Sequence, residues 1–508
     1  MILTLAAAII ALSAWTGLRW HNGAKLRPVV PLLLDAALAT WCWAVVSLVT
    51  DRLLVGAIVV GFGAIGLAIA DDAKFDALRE RLAFSDRAEL LEVVRHPEMY
   101  LPFAGTGVVL AGVAVLAGVV GVLVWYEPPM LPHWWLAPPF LFALGSVYFS
   151  LAIPQVLRFL GRLFYSWSPN CVPDTDIPRY GLLACFVIHA TIARFERNGR
   201  RAPYSPQDIT RPQIVPAKRS VILVQFESFF DVKRLGGAFG AGAPNLLKIQ
   251  SRATHFGSLE VPCWGANTIR TEFAALTGVD VRELGLDQYN PYERFAQHPV
   301  DSLAWEMRRR GLKTVCIHPF DLNFYGRSKV MPKLGFERLI GPKAFQRESS
   351  HGYVSDQAIV ERIALELAGA QNAGSASLVF AITIAAHGPW QERGFPQDTK
   401  RGKAAEGISA YLEAVAKMDD TLPRLKLLAD EHDALLIIYG DHQPSLPKAF
   451  GSIEFVDPRT DYLIYDPRNR NAPGSANRYR DLAAHELKGM ILQVFEREMG
   501  IAGSVILA

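Results

Sequence analysis

The chain has 508 residues, 51% of them apolar, and a formal net charge of +3. That length exceeds one ordinary domain, and a nearly neutral chain with dispersed basic residues offers no electrostatic case for binding nucleic acid. The five cysteines, Cys42, Cys171, Cys185, Cys263 and Cys316, form no C-x-x-C pair, which argues against a zinc ribbon, and their wide spacing is no disulfide framework.

Apolar residues crowd the first third of the chain. A bilayer span takes roughly 20 of them, and five stretches are long enough: 2–18, 29–49, 53–70, 101–125 and 134–157. Residues 1–160 are therefore expected to form a transmembrane domain. The first stretch reads as a retained helix, because further spans follow it. Tyr126, Trp134 and Trp135 read as interfacial anchors. The loop 71–100 carries Lys74, Arg79, Arg81, Arg87 and Arg95; the positive-inside rule makes it cytoplasmic. After five spans, that would leave the C-terminal part cytoplasmic too. Residues 161–218 are expected as a juxtamembrane region. Within it, 181–195 reads as an interfacial helix, with Arg194, Arg197, Arg200 and Arg201 near phosphate headgroups. The proline-rich stretch 198–218 reads as a linker.

From residue 219 onward, short apolar runs alternate with helical patterns. Strands are expected at 221–226, 314–317, 378–383 and 435–439, and helices at 302–310, 360–368 and 408–428. This rhythm predicts an α/β domain over 219–508, a mostly parallel sheet covered by helices on both faces. Each strand runs into a polar residue: Glu227, His318, His387, and the pair Asp441-His442 after Gly440. Open α/β sheets bind ligands outside the carboxyl ends of their strands. These side chains are therefore expected at one rim, as in a metal site drawn from distant segments. Gly440 permits a tight exit that turns Asp441 and His442 toward one point.

A nucleophile is expected at Thr268, where the loop 262–267 opens a helix running to Leu276. Backbone N–H groups and the dipole favour a phosphate there. A threonine hydroxyl is a weak nucleophile that needs a metal or a base. Taken alone, Thr268 reads better as a helix cap than as a nucleophile.

Five segments, in this order, resemble the lipoteichoic acid synthase family. They are Phe226-Glu227-Ser228-Phe229, Asn267-Thr268 with Thr271-Glu272-Phe273, Phe324-Tyr325-Gly326-Arg327, Ala386-His387-Gly388-Pro389-Trp390, and Tyr439-Gly440-Asp441-His442. Those enzymes are membrane phosphoglycerol transferases of the sulfatase and alkaline phosphatase-like superfamily. The resemblance covers residues 219–495 and the five-span arrangement before them. It implies one divalent ion held by Glu227, Thr268, Asp441 and His442, with Thr268 as the nucleophile that takes up phosphoglycerol. It also implies substrate-binding roles for Arg327, His387, Tyr325 and His318. Such a set of oxygen and nitrogen donors without thiolate suits Mn²⁺, Mg²⁺ or Zn²⁺; Mn²⁺ is the ion expected, with the other two as alternatives.

Two positions depart from the family. Tyr325 stands where tryptophan is common, and the segment Ala266-Asn267-Thr268-Ile269 lacks the lysine often found before the threonine. The implied partners are an anionic phospholipid donor, an envelope glycan or glycolipid acceptor, and the membrane. The implied location is the cytoplasmic membrane with the catalytic domain facing outward, against the loop charge count. Alternatives are a phosphoethanolamine transferase, a sulfatase-like phosphoester hydrolase, and a non-enzymatic membrane scaffold or sensor. The C/S-x-P-x-R setting of a sulfatase nucleophile is not matched by Cys263-Trp264-Gly265-Ala266-Asn267.

Overall fold

The computed structural model describes residues 2–150, 152–199, 218–236, 242–296, 299–345, 352–388, 390, 402–469 and 478–497. The chain divides into two compact units, Met1–Arg201 and Ala202–Ala508. Each is described by itself.

Among the described residues of the first unit, four helices are long and apolar enough to cross a membrane: Ile2–His21, Val29–Thr50, Leu53–Leu78 and Thr106–Tyr126. They correspond to the first four expected spans. The fourth begins at Thr106 because Gly105, in the left-handed region at φ 79°, ends a separate short helix, Pro97–Ala104. The third runs beyond its apolar stretch into the basic loop. There Asp71 is buried and accepts hydrogen bonds from Arg81 Nη1 (2.6 Å) and Leu82 N (2.8 Å).

The fifth expected span is divided. A short turn at Trp134–Leu136 leads into Ala137–Ser150, and a new helix, Pro154–Ser166, follows. Proline has no N–H to give a preceding turn, so it starts a helix more readily than it continues one.

The stretch expected at an interface is the helix Leu182–Gly199. It is packed into the unit and does not lie apart on a surface. Cys185, Ile188 and Ile192 are buried, and Ala184 N donates to Asp35 Oδ1 (2.9 Å), whose other oxygen pairs with Arg19 (2.8 Å). Most of the expected linker, 200–217, lies outside the described residues, including Arg200 and Arg201 of the expected headgroup cluster.

The second unit holds an eight-stranded sheet in the order β4-β3-β5-β1-β6-β7-β2-β8. The strands are β1 Val221–Phe226, β2 His255–Glu260, β3 Lys313–Ile317, β4 Arg338–Ile340, β5 Ser377–Ile382, β6 Leu435–Gly440, β7 Thr460–Tyr465 and β8 Leu482–Ala483. The four expected strands are the adjacent central ones, all parallel. Only β7 runs against its neighbours, β6 and β2. Every residue of β1, β5 and β6 is buried, as befits parallel strands covered on both faces. Alternate side chains feed two cores: Leu223, Phe380 and Ile437 on one face, Val224, Ala381 and Ile438 on the other.

The expected helix at 302–310 is Leu303–Arg309, capped by the Ser302 hydroxyl, which accepts from Trp305 N. The one at 360–368 lies within Asp356–Asn372. The single long helix expected over 408–428 is two, Gly402–Asp419 and Leu422–Glu431, the second with Pro423 in its first turn.

Candidate metal and phosphate site

The sheet register brings the first ligand candidates together. Phe226 at the end of β1 pairs with Gly440 at the end of β6, so Glu227 and Asp441 emerge side by side. The chain passes so close here that a Cβ on Gly440 would stand 1.8 Å from the Phe229 carbonyl oxygen. Ser228 is held in the left-handed region at φ 54°, a strained choice for a residue with a side chain. In that conformation its N–H reaches Asp441 Oδ1 at 2.8 Å, and His442 N donates to the same oxygen at 2.8 Å. The other carboxylate oxygen, Asp441 Oδ2, is buried and accepts no hydrogen bond.

Glu227, Asp441 and His442 present donor atoms that all lie within 4.8 Å of one another. His442 Nε2 is 3.4 Å from Asp441 Oδ2 and 3.6 Å from Glu227 Oε1. The opposite ring nitrogen, Nδ1, lies 2.9 Å from the Gln443 carbonyl. A carbonyl only accepts, so Nδ1 carries the hydrogen and Nε2 turns its lone pair inward.

Thr268 arrives from the other side. Asn267, at φ 62°, is the N-cap residue of Thr268–Thr277 but makes no side-chain cap bond. Thr268 is therefore the first helical residue and not the cap. Its Oγ1 lies 3.3 Å from His442 Nε2. The nucleophile loop is stitched to the chain after β6: Thr271 Oγ1 donates to Asp441 O (2.6 Å) and Gly265 N to Gln443 O (3.1 Å).

The Glu227 carboxyl is pushed up to about 8, first by burial and then by the neighbouring Asp441 charge, against the opposing pull of His442, Ser228 and Arg327. Two buried carboxylates facing each other, one with an unpartnered oxygen, lack a positive charge between them. Oxygen and imidazole donors converging on that point fit a divalent ion.

A second cluster lies nearby. Arg327 opens the helix Arg327–Lys333 and is buried. Its Nε and Nη2 donate to the two oxygens of Glu272 at 3.3 and 3.0 Å, and its Nη1 lies 3.3 Å from His318 Nε2. Burial works against its charge, but the Glu272 carboxylate outweighs it and raises its proton affinity. His318 is held well below its ordinary value by burial and by Arg327. Tyr325, left-handed at φ 55°, places its ring centroid 5.5 Å from the Arg327 guanidinium.

His387 is half-buried. Its Nδ1 meets the Gly388 carbonyl at 2.7 Å, and burial lowers its proton affinity despite that bond and the Asp441 charge. Pro389, from the same motif, lies outside the described residues.

Of the residues singled out in the sequence, Glu227, Thr268, Asp441 and His442 thus meet at one point. Arg327, His318 and Tyr325 form the adjoining group, and His387 sits within the field of Asp441. His318 directly follows β3 as expected, whereas His387 lies in a turn beyond the end of β5 at Ile382, and neither is in the ligand cluster. Three residues had no assigned part: Ser228, Glu272, and Thr383, whose Oγ1 accepts from Glu227 N at 3.0 Å. For Glu272 no local pattern gave a signal, because it follows the mixed polar turn Thr268-Ile269-Arg270-Thr271.

Residues 219–487 match the sulfatase family. The chain belongs to that family. Among relatives of this sulfatase-family protein, the capsular polysaccharide biosynthesis protein RkpI of Rhizobium meliloti (strain 1021) is 30% identical over 441 residues, 83% of this chain and 79% of RkpI. Among solved structures, the integral membrane protein lipooligosaccharide phosphoethanolamine transferase A of Neisseria meningitidis shares 13% identity at a TM-score of 0.51, over 96% of this chain and 95% of its own. The lipoteichoic acid synthase LtaP of Listeria monocytogenes shares 19% identity at a TM-score of 0.44, over 55% of this chain and 72% of its own. The sulfatase-family protein is thus a membrane protein with apolar N-terminal helices and a C-terminal sulfatase-type domain. This is the superfamily to which the motif resemblance assigns it.

Proposed function

We propose that this protein transfers phosphoglycerol from phosphatidylglycerol to a cell-envelope glycan or glycolipid, through a covalent intermediate on Thr268. The observation that carries the reading is the meeting of the Thr268 hydroxyl with His442 Nε2 at 3.3 Å, beside the unpartnered Asp441 Oδ2. A hydroxyl used as a mere helix cap would turn back to its own backbone.

Glu227, Thr268, Asp441 and His442 would hold one divalent ion, Mn²⁺ foremost. When bound, the ion supplies positive charge against the phosphate oxygens and lowers the hold of the threonine oxygen on its proton. Attack by Thr268 Oγ on phosphorus forms the Oγ–P bond and breaks the bond to the diacylglycerol oxygen. That oxygen leaves with one proton, replacing the one lost by Thr268. The acceptor hydroxyl then attacks the same phosphorus, its proton goes to the departing Thr268 oxygen, and the enzyme is restored.

Arg327 directs N–H groups at the nonbridging oxygens, where charge builds in the transition state. Tyr325 flanks the glycerol. His387, kept neutral by burial, has Nδ1 engaged by Gly388 and receives a substrate hydroxyl at Nε2.

A glycan acceptor accords with the name of RkpI, a capsular polysaccharide biosynthesis protein. Phosphoglycerol is favoured over phosphoethanolamine by the Phe226–Phe229 and His387–Trp390 motifs. Membrane helices suit a donor that lies in the bilayer, and an envelope acceptor puts the catalytic domain outside the cytoplasmic membrane. The test is to identify the group carried by Thr268 after exposure to defined phospholipids.

A further inference from the structure

We infer that Glu272 is a positioning residue that fixes Arg327 for phosphate, and that His318 is the second side of the same clamp and not a substrate contact. The inference rests on the phosphate role proposed for Arg327.

A guanidinium has five N–H donors in a rigid fork. In Arg327 three are taken: Nε and Nη2 by the two oxygens of Glu272, and Nη1 by His318 Nε2. One N–H remains on each of the two terminal nitrogens. The clamp thus leaves a two-hydrogen donor of set direction, the pattern that meets two oxygens of one phosphate.

His318 has nothing further to offer. Its Nδ1 lies 3.4 Å from the Ile382 carbonyl. A carbonyl only accepts, so Nδ1 carries the ring hydrogen and Nε2 receives the Arg327 N–H. Both ring nitrogens are engaged, and the ring is buried.

Glu272 is equally saturated. Besides its two bonds from Arg327 it accepts from the Tyr292 hydroxyl and from Gln225 Nε2 at 3.3 Å, while Tyr439 OH holds the other end of Gln225. A carboxylate offers about four acceptor sites, and four donors fill them. Glu272 is fully buried and all its acceptor sites are filled, so none is left for substrate or metal and it acts through Arg327. A lysine at position 327 would lack the fork needed to satisfy both Glu272 oxygens and His318 together.

The experiment uses full-length protein in detergent with Glu272→Gln, Arg327→Gln and the double variant. Turnover, the inhibition constant of inorganic phosphate, metal content and melting temperature are measured on each. A purely structural role would move melting alone. The expected result for Glu272→Gln is wild-type metal content with turnover down, and the phosphate inhibition constant up, by at least about tenfold; the double variant loses no more than Arg327→Gln alone. Turnover and phosphate inhibition within about twofold of wild type in Glu272→Gln, with both lost in Arg327→Gln, would overturn the positioning role, as would additive losses in the double variant. Wild-type values in Arg327→Gln would instead overturn the phosphate role of Arg327, and the inference with it. Should Glu272→Gln not fold, Tyr292→Phe removes one bond to the same carboxylate. It should weaken phosphate inhibition in the same direction, and unchanged inhibition would overturn the proposal.

Discussion

Phe226 lies opposite Gly440 in the parallel register of β1 and β6, and this pairing sets Glu227 beside Asp441. The two ligand candidates come from segments more than two hundred residues apart, yet one step beyond a shared ladder rung fixes their separation. Register in a sheet buried on both faces is strongly specified, because a one-residue slip turns every side chain to the wrong face. The site therefore inherits its geometry from the best-packed part of the domain.

Gly440→Ala tests that inheritance. A Cβ there would stand 1.8 Å from the Phe229 carbonyl, so β1 and its following turn must move. The expected cost is at least about 1–3 kcal/mol, the usual range for overpacking, together with loss of bound metal, because Ser228 and Asp441 part. Melting curves and metal content check it; a variant with wild-type melting and full metal would show that the close approach is not needed.

Thr268→Ala should abolish turnover and leave the fold intact. Thr268 is the first residue of its helix and its hydroxyl faces His442. Alanine removes no capping bond and is the best helix former, so stability should change by less than about 1 kcal/mol. Loss of a nucleophile costs orders of magnitude in rate. Donor-lipid consumption and melting, measured on the same preparation, separate the two effects. Wild-type turnover in the folded variant would remove Thr268 from the chemistry.

Asp356, which is no ligand candidate but is linked through Thr383 to the Glu227 backbone, gives a pH signature of its own. It is buried, and its carboxyl is pushed from 3.8 up to about 7 by burial, against a hydrogen bond from Thr383. Between those values the folded chain holds a proton that the unfolded chain has released. Stability from this group is therefore fully present below about pH 4, falls as pH rises toward 7, and is level above that. Asp356→Asn removes the titration. The melting temperature of the wild type should fall relative to the variant between pH 5 and pH 8; parallel curves would contradict this.

The location of the catalytic domain is open to reporter fusions at the C-terminus. An outward-facing domain predicts an active periplasmic reporter and an inactive cytoplasmic one, despite Lys74, Arg79, Arg81, Arg87 and Arg95 in the loop 71–100. The reverse pattern would restore the reading from loop charge.

The central strands were legible because each is an unbroken apolar run buried on both faces, the pattern of parallel strands under helices. The outer strands β2, β4, β7 and β8 were not. β2 has Gly257 at its centre, where a Cβ would stand 2.3 Å from the Arg480 carbonyl, and glycine in a run reads as a break. β4 and β8 are too short to show a period. The helix expected over 408–428 is broken where Pro423 starts a new one.

At the site, strand-end residues announced themselves because their position follows from local pattern. Glu272 did not, since its partner Arg327 is 55 residues away and no local pattern links them. His318 was legible as a strand-end histidine but not as one with both nitrogens engaged, because the Ile382 carbonyl and Arg327 reach it only after folding.

The central claim is a phosphoglycerol ester on Thr268. Purified wild-type protein, loaded with Mn²⁺ and incubated with phosphatidylglycerol without an acceptor, would be digested and the peptide containing Thr268 weighed by mass spectrometry. Phosphatidylethanolamine serves as the parallel donor. The account predicts a peptide heavier by one glycerol phosphate ester, with the modification on Thr268, formed from phosphatidylglycerol and absent from Thr268→Ala. A phosphoethanolamine adduct, formed from phosphatidylethanolamine alone, would contradict the donor. A turning-over enzyme whose Thr268 stays unmodified would contradict the covalent mechanism.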